Sequence, residues 1–76
     1  MKKIDITHLL IDIGVCSGCF KIRWETDDGL RHSDLVVFDE FLDHFVWYDD
    51  YGIYEDKAII YCKELLQIEK FNWIAK

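Results

Sequence analysis

Asp39-Glu40-Phe41-Leu42-Asp43-His44-Phe45-Val46-Trp47-Tyr48 is the stretch on which the reading of the second half depends. Its spacing predicts a helix. Asp39 is a good N-cap, because its carboxylate can accept from free amides of a first turn. Glu40 and Asp43 would sit near the positive end of the helix dipole. Phe41, Leu42, Phe45 and Tyr48 would form one apolar stripe at helical spacing. Gly52 would end or interrupt that element.

Toward the C-terminus a second helix is expected from about Tyr54 to Gln67, with Ala58, Ile59, Cys62, Leu65 and Leu66 as its stripe and Tyr61 and Ile68 beside it. Ile68 to Ile74 can extend that helix or alternate inward through Phe71 and Trp73. A final strand is the favoured reading, since Asn72, Trp73 and Ile74 are weaker helix formers.

Toward the N-terminus the chain reads as strands. Ile4 to Val15 contains His8-Leu9-Leu10-Ile11-Asp12-Ile13, which is apolar and β-branched, and Gly14 with Cys16-Ser17-Gly18 punctuates it as a turn. Phe20-Lys21-Ile22-Arg23-Trp24-Glu25 alternates strictly, with Phe20, Ile22 and Trp24 on one face. Asp27-Asp28-Gly29 supplies residues suited to a tight hairpin, and Leu30 to Phe38 returns as a third strand. The expected fold class is α+β over a single domain, residues 1–76. It is a small three-stranded antiparallel meander, with a candidate fourth strand at the C-terminus, packed against two α-helices.

Seventy-six residues leave room for one core. With 51% apolar and 16% aromatic residues, the chain can fill that core with few side chains, so disorder is not expected. The apolar runs, such as Leu9–Ile11 and Leu35–Phe38, are too short to span a bilayer. The start, Met1-Lys2-Lys3-Ile4-Asp5, lacks the apolar core and cleavage site of a secretory signal. Three cysteines do not form an even-numbered disulfide framework. A cytoplasmic protein is the expectation.

The formal charge of −6 is unevenly placed: residues 25–56 carry eleven acids against one base, Arg31. A surface built only for solubility mixes the signs, whereas a one-sign field steers charged partners.

Catalytic chemistry is weakly signalled. Cys16-Ser17-Gly18-Cys19 precedes a strand, whereas a redox pair needs a helix N-terminus to lower its thiol pKa. The same CxxC could supply half of a zinc site with Cys62 and one of His8, His32 or His44, but no second short-spaced pair accompanies it. The plainer reading places Cys16 and Cys19 beside a turn as small apolar residues and Cys62 in the core. The histidines are scattered singly, and the four glycines do not form a phosphate-cradling loop. Asp27-Asp28-Gly29 and Asp49-Asp50-Tyr51-Gly52 lack the alternating ligands and terminal Glu of a calcium loop. Enzyme is the weaker class. No cofactor or metal is assigned, and a zinc-stabilised module and a self-associating regulatory or assembly subunit remain as alternatives.

Binding is better signalled. Trp47, Tyr48, Asp49, Asp50, Tyr51, Tyr54, Glu55 and Asp56 combine four large rings with four carboxylates and no base, and Asp39, Glu40 and Asp43 lead into them. Trp and Tyr are enriched at binding hot spots, and carboxylates around them would meet Lys or Arg on a partner. With Asp27 and Asp28, these residues make up the expected partner-binding surface. Direct nucleic-acid binding is disfavoured, because it relies on cations that neutralise phosphates. The converse is a protein that occupies a basic nucleic-acid-binding groove. Short length, an antiparallel sheet with helices and an Asp-rich segment over Asp39–Asp56 resemble small phage-encoded inhibitors of the anti-CRISPR and anti-restriction type, several of which mimic nucleic acid. That resemblance implies a stoichiometric inhibitor without a cofactor, acting in a bacterial cytoplasm on a nucleic-acid-binding protein or nuclease complex.

Overall fold

In the computed structural model, which describes residues 1–49 and 52–71 (for 49 and 52–55 the backbone alone), the strictly alternating segment becomes a strand as expected. Among the described residues the elements run β1 (Lys2–Asp5), α1 (Ile6–Asp12), β2 (Cys19–Glu25), β3 (Arg31–Asp39), β4 (His44–Asp49), β5 (Gly52–Lys57), β6 (Ile59–Cys62) and β7 (Glu64–Phe71). Five strands form one antiparallel sheet in the order β5-β4-β3-β2-β7, and β1 pairs with β6 in a second, two-stranded sheet.

The expected α+β arrangement, a three-stranded meander under two helices, is overturned: the described chain is mostly β, with one short helix. That helix lies where a strand was expected. Asp5 accepts from the His8 amide at 3.3 Å and so caps the first turn, and Ile6, Thr7 and Leu10 are the residues α1 buries. The helix ends in a Schellman arrangement, with Gly14 N–H donating to Ile11 and Val15 N–H to Leu10, at 2.9 and 2.8 Å. Gly14 has φ +83°, which an L side chain rarely adopts, so it stops the helix rather than a strand.

Neither expected helix of the second half forms. Phe45 and Trp47 face one side of the sheet and Val46 and Tyr48 the other, so β4 is apolar on both faces. A strand of that kind carries no clean alternation and can pass for a helix. In β7 a register shift opposite Arg23 and Trp24 adds one residue, so the two inward-packing side chains, Leu65 and Ile68, are three apart. That spacing imitates a helix turn. The favoured final strand is present as far as Phe71; residues 72–76 lie outside the described residues.

The main core lies between the five-stranded sheet and the layer formed by α1, β1 and β6. Phe20, Ile22 and Trp24 of β2, Val36 of β3 and Phe45 of β4 meet Ile6 and Leu10 of α1 and Ile60 and Cys62 of β6. Phe45 is fully buried, its ring edge-on to Phe20 and Phe38 with centroids 5.9 and 5.2 Å away. Thr7 Oγ1 accepts the Phe45 N–H at 2.7 Å in this buried setting, joining α1 to the start of β4. Ala58 forms the crossing point: its N–H donates to Phe45 and its carbonyl accepts from Ile6. A smaller cluster, Cys19, Val37 and Val46 with Leu35 and Tyr48, lies on the opposite face of the sheet.

Candidate functional site

β3 separates the expected binding residues into groups. Asp27 and Asp28 lie in the β2–β3 turn, whereas Asp39, Glu40 and Asp43 lie in and beside the β3–β4 turn. Nine residues of strand place those turns roughly 27 Å apart. They do not form one patch.

The aromatic residues divide too. Trp47 is half-buried on the core side, its ring 5.8 Å from that of Trp24. Tyr48 points to the other face and packs on Cys19, Val37 and Val46. Both are half-buried and they point to opposite faces of the sheet, so they are not neighbours on one surface. Asp56 is exposed on β5. The side chains of Asp49, Tyr54 and Glu55, and all of Asp50 and Tyr51, lie outside the described residues.

The β3–β4 turn is the best-built presentation of acid and aromatic together. Asp39 Oδ1 accepts the Phe41 and Leu42 amides at 2.9 and 3.1 Å, and the Asp43 amide donates to the Asp39 carbonyl at 2.8 Å. Asp43 closes the turn in the left-handed region, φ +58°, a conformation aspartate tolerates better than most side chains. The Asp39 carboxylate therefore does what a helix cap does, but for an isolated turn. It holds the loop in shape.

That loop exposes a large apolar side chain. Phe41, expected on a helix stripe facing the core, is 99% exposed, and Leu42 beside it is 38% exposed. Exposed Glu40 and Asp43 flank them. Sequence reasoning found the acids but misplaced Phe41, because Asp39-x-Phe41-Leu42 satisfies a helix start and a capped turn equally well.

The β2–β3 turn is also self-bonded. Asp28 accepts from the Thr26 hydroxyl and, at 3.2 Å, from the Leu30 amide. Those hydrogen bonds, the Thr26 hydroxyl foremost, hold the Asp28 carboxyl below the usual carboxylate range. Gly29 takes φ +82° there.

The expected zinc alternative does not converge. Cys19 lies in the outer cluster and Cys62 in the main core, on opposite faces of the five-stranded sheet, while Cys16 is exposed. Burial pushes the Cys19 thiol pKa up, against the thiolate a metal would need. Among the described residues no three His, Cys, Asp or Glu side chains are grouped as metal ligands, and no helix is long and apolar enough to cross a membrane.

Among known proteins, no family model, no curated protein and no solved structure matches the chain.

Proposed function

We propose that this chain is a small protein-binding inhibitor that inserts an acidic hairpin tip, residues 40–43, into a basic, nucleic-acid-binding surface of a bacterial partner. The observation that carries this reading is Phe41, fully exposed on a turn that Asp39 already holds in shape. A preordered loop loses little conformational entropy on binding, so an aromatic anchor there yields more net affinity than on a floppy one. Glu40 and Asp43 would form the charged rim, speeding encounter with lysines and arginines. Asp27 and Asp28, at the far end of β3, are outside this contact.

The test compares wild-type protein with Phe41→Ala and with the charge reversal Glu40→Lys/Asp43→Lys as baits in bacterial lysate. The expected result is a basic nucleic-acid-binding protein held at low salt by the wild type. It should be released by competing DNA and by high salt, and lost with both variants. Retention unchanged in both variants would remove the turn from the contact. Retention indifferent to DNA would remove the nucleic-acid-groove reading.

A further inference from the structure

On the sheet face opposite the main core lies a depression of about 410 Å3, lined by Arg23, Arg31, His32, Ser33, Leu66 and Gln67. Its chemistry is opposite to that of the chain as a whole. Arg23 alternates with the core residues Ile22 and Trp24 and so points outward, where it is exposed. In register it lies between Ser33 on β3 and Gln67 on β7, two uncharged side chains that can donate hydrogen bonds. Among the described residues no carboxylate pairs with Arg23. Arg31 is its diagonal neighbour across the β2–β3 pair, about 7–8 Å away at the backbone and within reach for long side chains.

The depression itself is lined by two arginines and, among the described residues, by no carboxylate. Glu25, the acid closest along β2, is held by both Arg31 (3.5 Å from Nε) and Lys63 (3.9 Å). Its charge is thus matched by two cations, and the Arg31 contact uses Nε, leaving the terminal amino groups uncommitted by it. Glu64, opposite Glu25, and Asp27 and Asp28 of the β2–β3 turn are the other acids at this end, and Glu69 lies opposite Lys21, which sits two residues before Arg23. Asp28 is engaged by the Thr26 hydroxyl and the Leu30 amide.

Backbone geometry points to the same place. The register shift between β2 and β7 falls between Arg23 and Trp24, and the extra residue is Leu66, which together with Gln67 lines the depression. Bulges bend a strand and re-aim its side chains, and they are enriched beside binding sites. No glycine or proline forces this one: Glu64–Phe71 contains neither.

We infer that this depression is a binding site for a multiply charged oxyanion, with Arg23 as its principal ligand and Arg31, Ser33 and Gln67 completing the donor set. The guanidinium fork matches paired oxygens of phosphoryl or carboxylate groups, which a lysine cluster would bind only as point charge. The site is independent of the acidic turn, since Ser33 and Asp39 are six residues apart along β3.

The test is a titration at low ionic strength, followed by backbone amide chemical shifts, with pyrophosphate in one arm and citrate in the other. The amides of Arg23, Ser33 and Gln67 should shift together and saturate. Arg23→Gln should weaken binding about tenfold or more, the loss expected for a hydrogen-bonded charge. Arg31→Gln should weaken it less, and Lys2→Gln, on the other sheet, should not change it. Tighter pyrophosphate identifies a phosphorylated ligand and tighter citrate a polycarboxylate. Shifts that never saturate, or an Arg23→Gln protein that keeps its fold and binds as before, would overturn the inference.

Discussion

At both ends of β3 an aspartate carboxylate closes a hairpin, yet the two ends are set in different surroundings. Asp28 collects the Thr26 hydroxyl and the Leu30 amide, while Asp39 collects the Phe41 and Leu42 amides. Both turns use a positive φ, from Gly29 in one and Asp43 in the other. The chain beyond each turn meets a different setting. Among the described residues β4 pairs with β3 from Leu35 to Asp39, and β2 pairs with β3 from Arg31 to Val37. The β3–β4 turn instead leads directly into Phe45, buried among Phe20 and Phe38 and bonded to Thr7. Similar local chemistry thus closes one turn beside Trp24, which stacks on His32, and the other beside Phe45, which Thr7 ties to the helix. The β3–β4 turn carries the exposed aromatic ring of Phe41, which is why the proposed contact is placed there.

The largest effect should come from removing the anchor. Phe45→Ala deletes a fully buried ring and should lower unfolding free energy by about 3–5 kcal/mol in urea denaturation. Leu30→Ala, at a side chain 58% exposed beside the other turn, should stay within about 0.5 kcal/mol. A Phe45→Ala loss below about 1 kcal/mol would show that the two ends are alike after all.

The second contrast is between two threonines. Thr7→Val keeps shape but leaves the buried Phe45 N–H without its acceptor, a change expected to cost about 1–3 kcal/mol. Thr26→Val removes an exposed hydroxyl, and about 0.5 kcal/mol is the upper expectation. Hydrogen exchange sharpens this: the Phe45 amide should lose protection in Thr7→Val while β2 and β3 amides retain theirs. Equal stability of the two variants would mean that the bond to Thr7 does not hold the turn to the helix.

Legibility in the sequence divides along the same line. The β2–β3 hairpin was readable because β2 is apolar on one face and its turn is Asp27-Asp28-Gly29, signals that need no knowledge of distant contacts. β4 and β7 were not, because their inward residues depend on pairing. β4 is covered on both faces, and a bulge sets Leu65 and Ile68 three apart. Ile6–Asp12 erred in the other direction: its β-branched residues suggested a strand, and the cap at Asp5 with the Gly14 stop outweighed them. As for the site, the acids were legible as a run of residues but not as a surface. Whether they share a face is fixed by register, which sent Trp47 inward, Tyr48 outward and Asp28 to the far end of β3. Arg23 carried no signal at all until Ser33, Gln67 and the bulge were placed around it.

The smallest effect is the one that isolates the β2–β3 turn. The Asp28 carboxyl titrates below its ordinary value of 3.8, mainly through the Thr26 hydroxyl and next the Leu30 amide, both of which favour the ionised form. A carboxylate whose folded pKa is depressed stabilises the fold above its unfolded pKa. That contribution is lost as pH falls through the folded value. Acid should therefore loosen this hairpin over a window that opens near 3.8 and extends below it. Carbon-detected titration of Asp28 checks the cause directly. In Thr26→Val its midpoint should rise toward the ordinary value, since the largest stabilising contact is gone, but not reach it, since the Leu30 amide remains. A midpoint unchanged by that substitution would assign the depression to the backbone amides, with the charge of His32 beside them. The two turns would then be closed by the same device, amide donors on an aspartate, and only the buried Phe45 would set them apart.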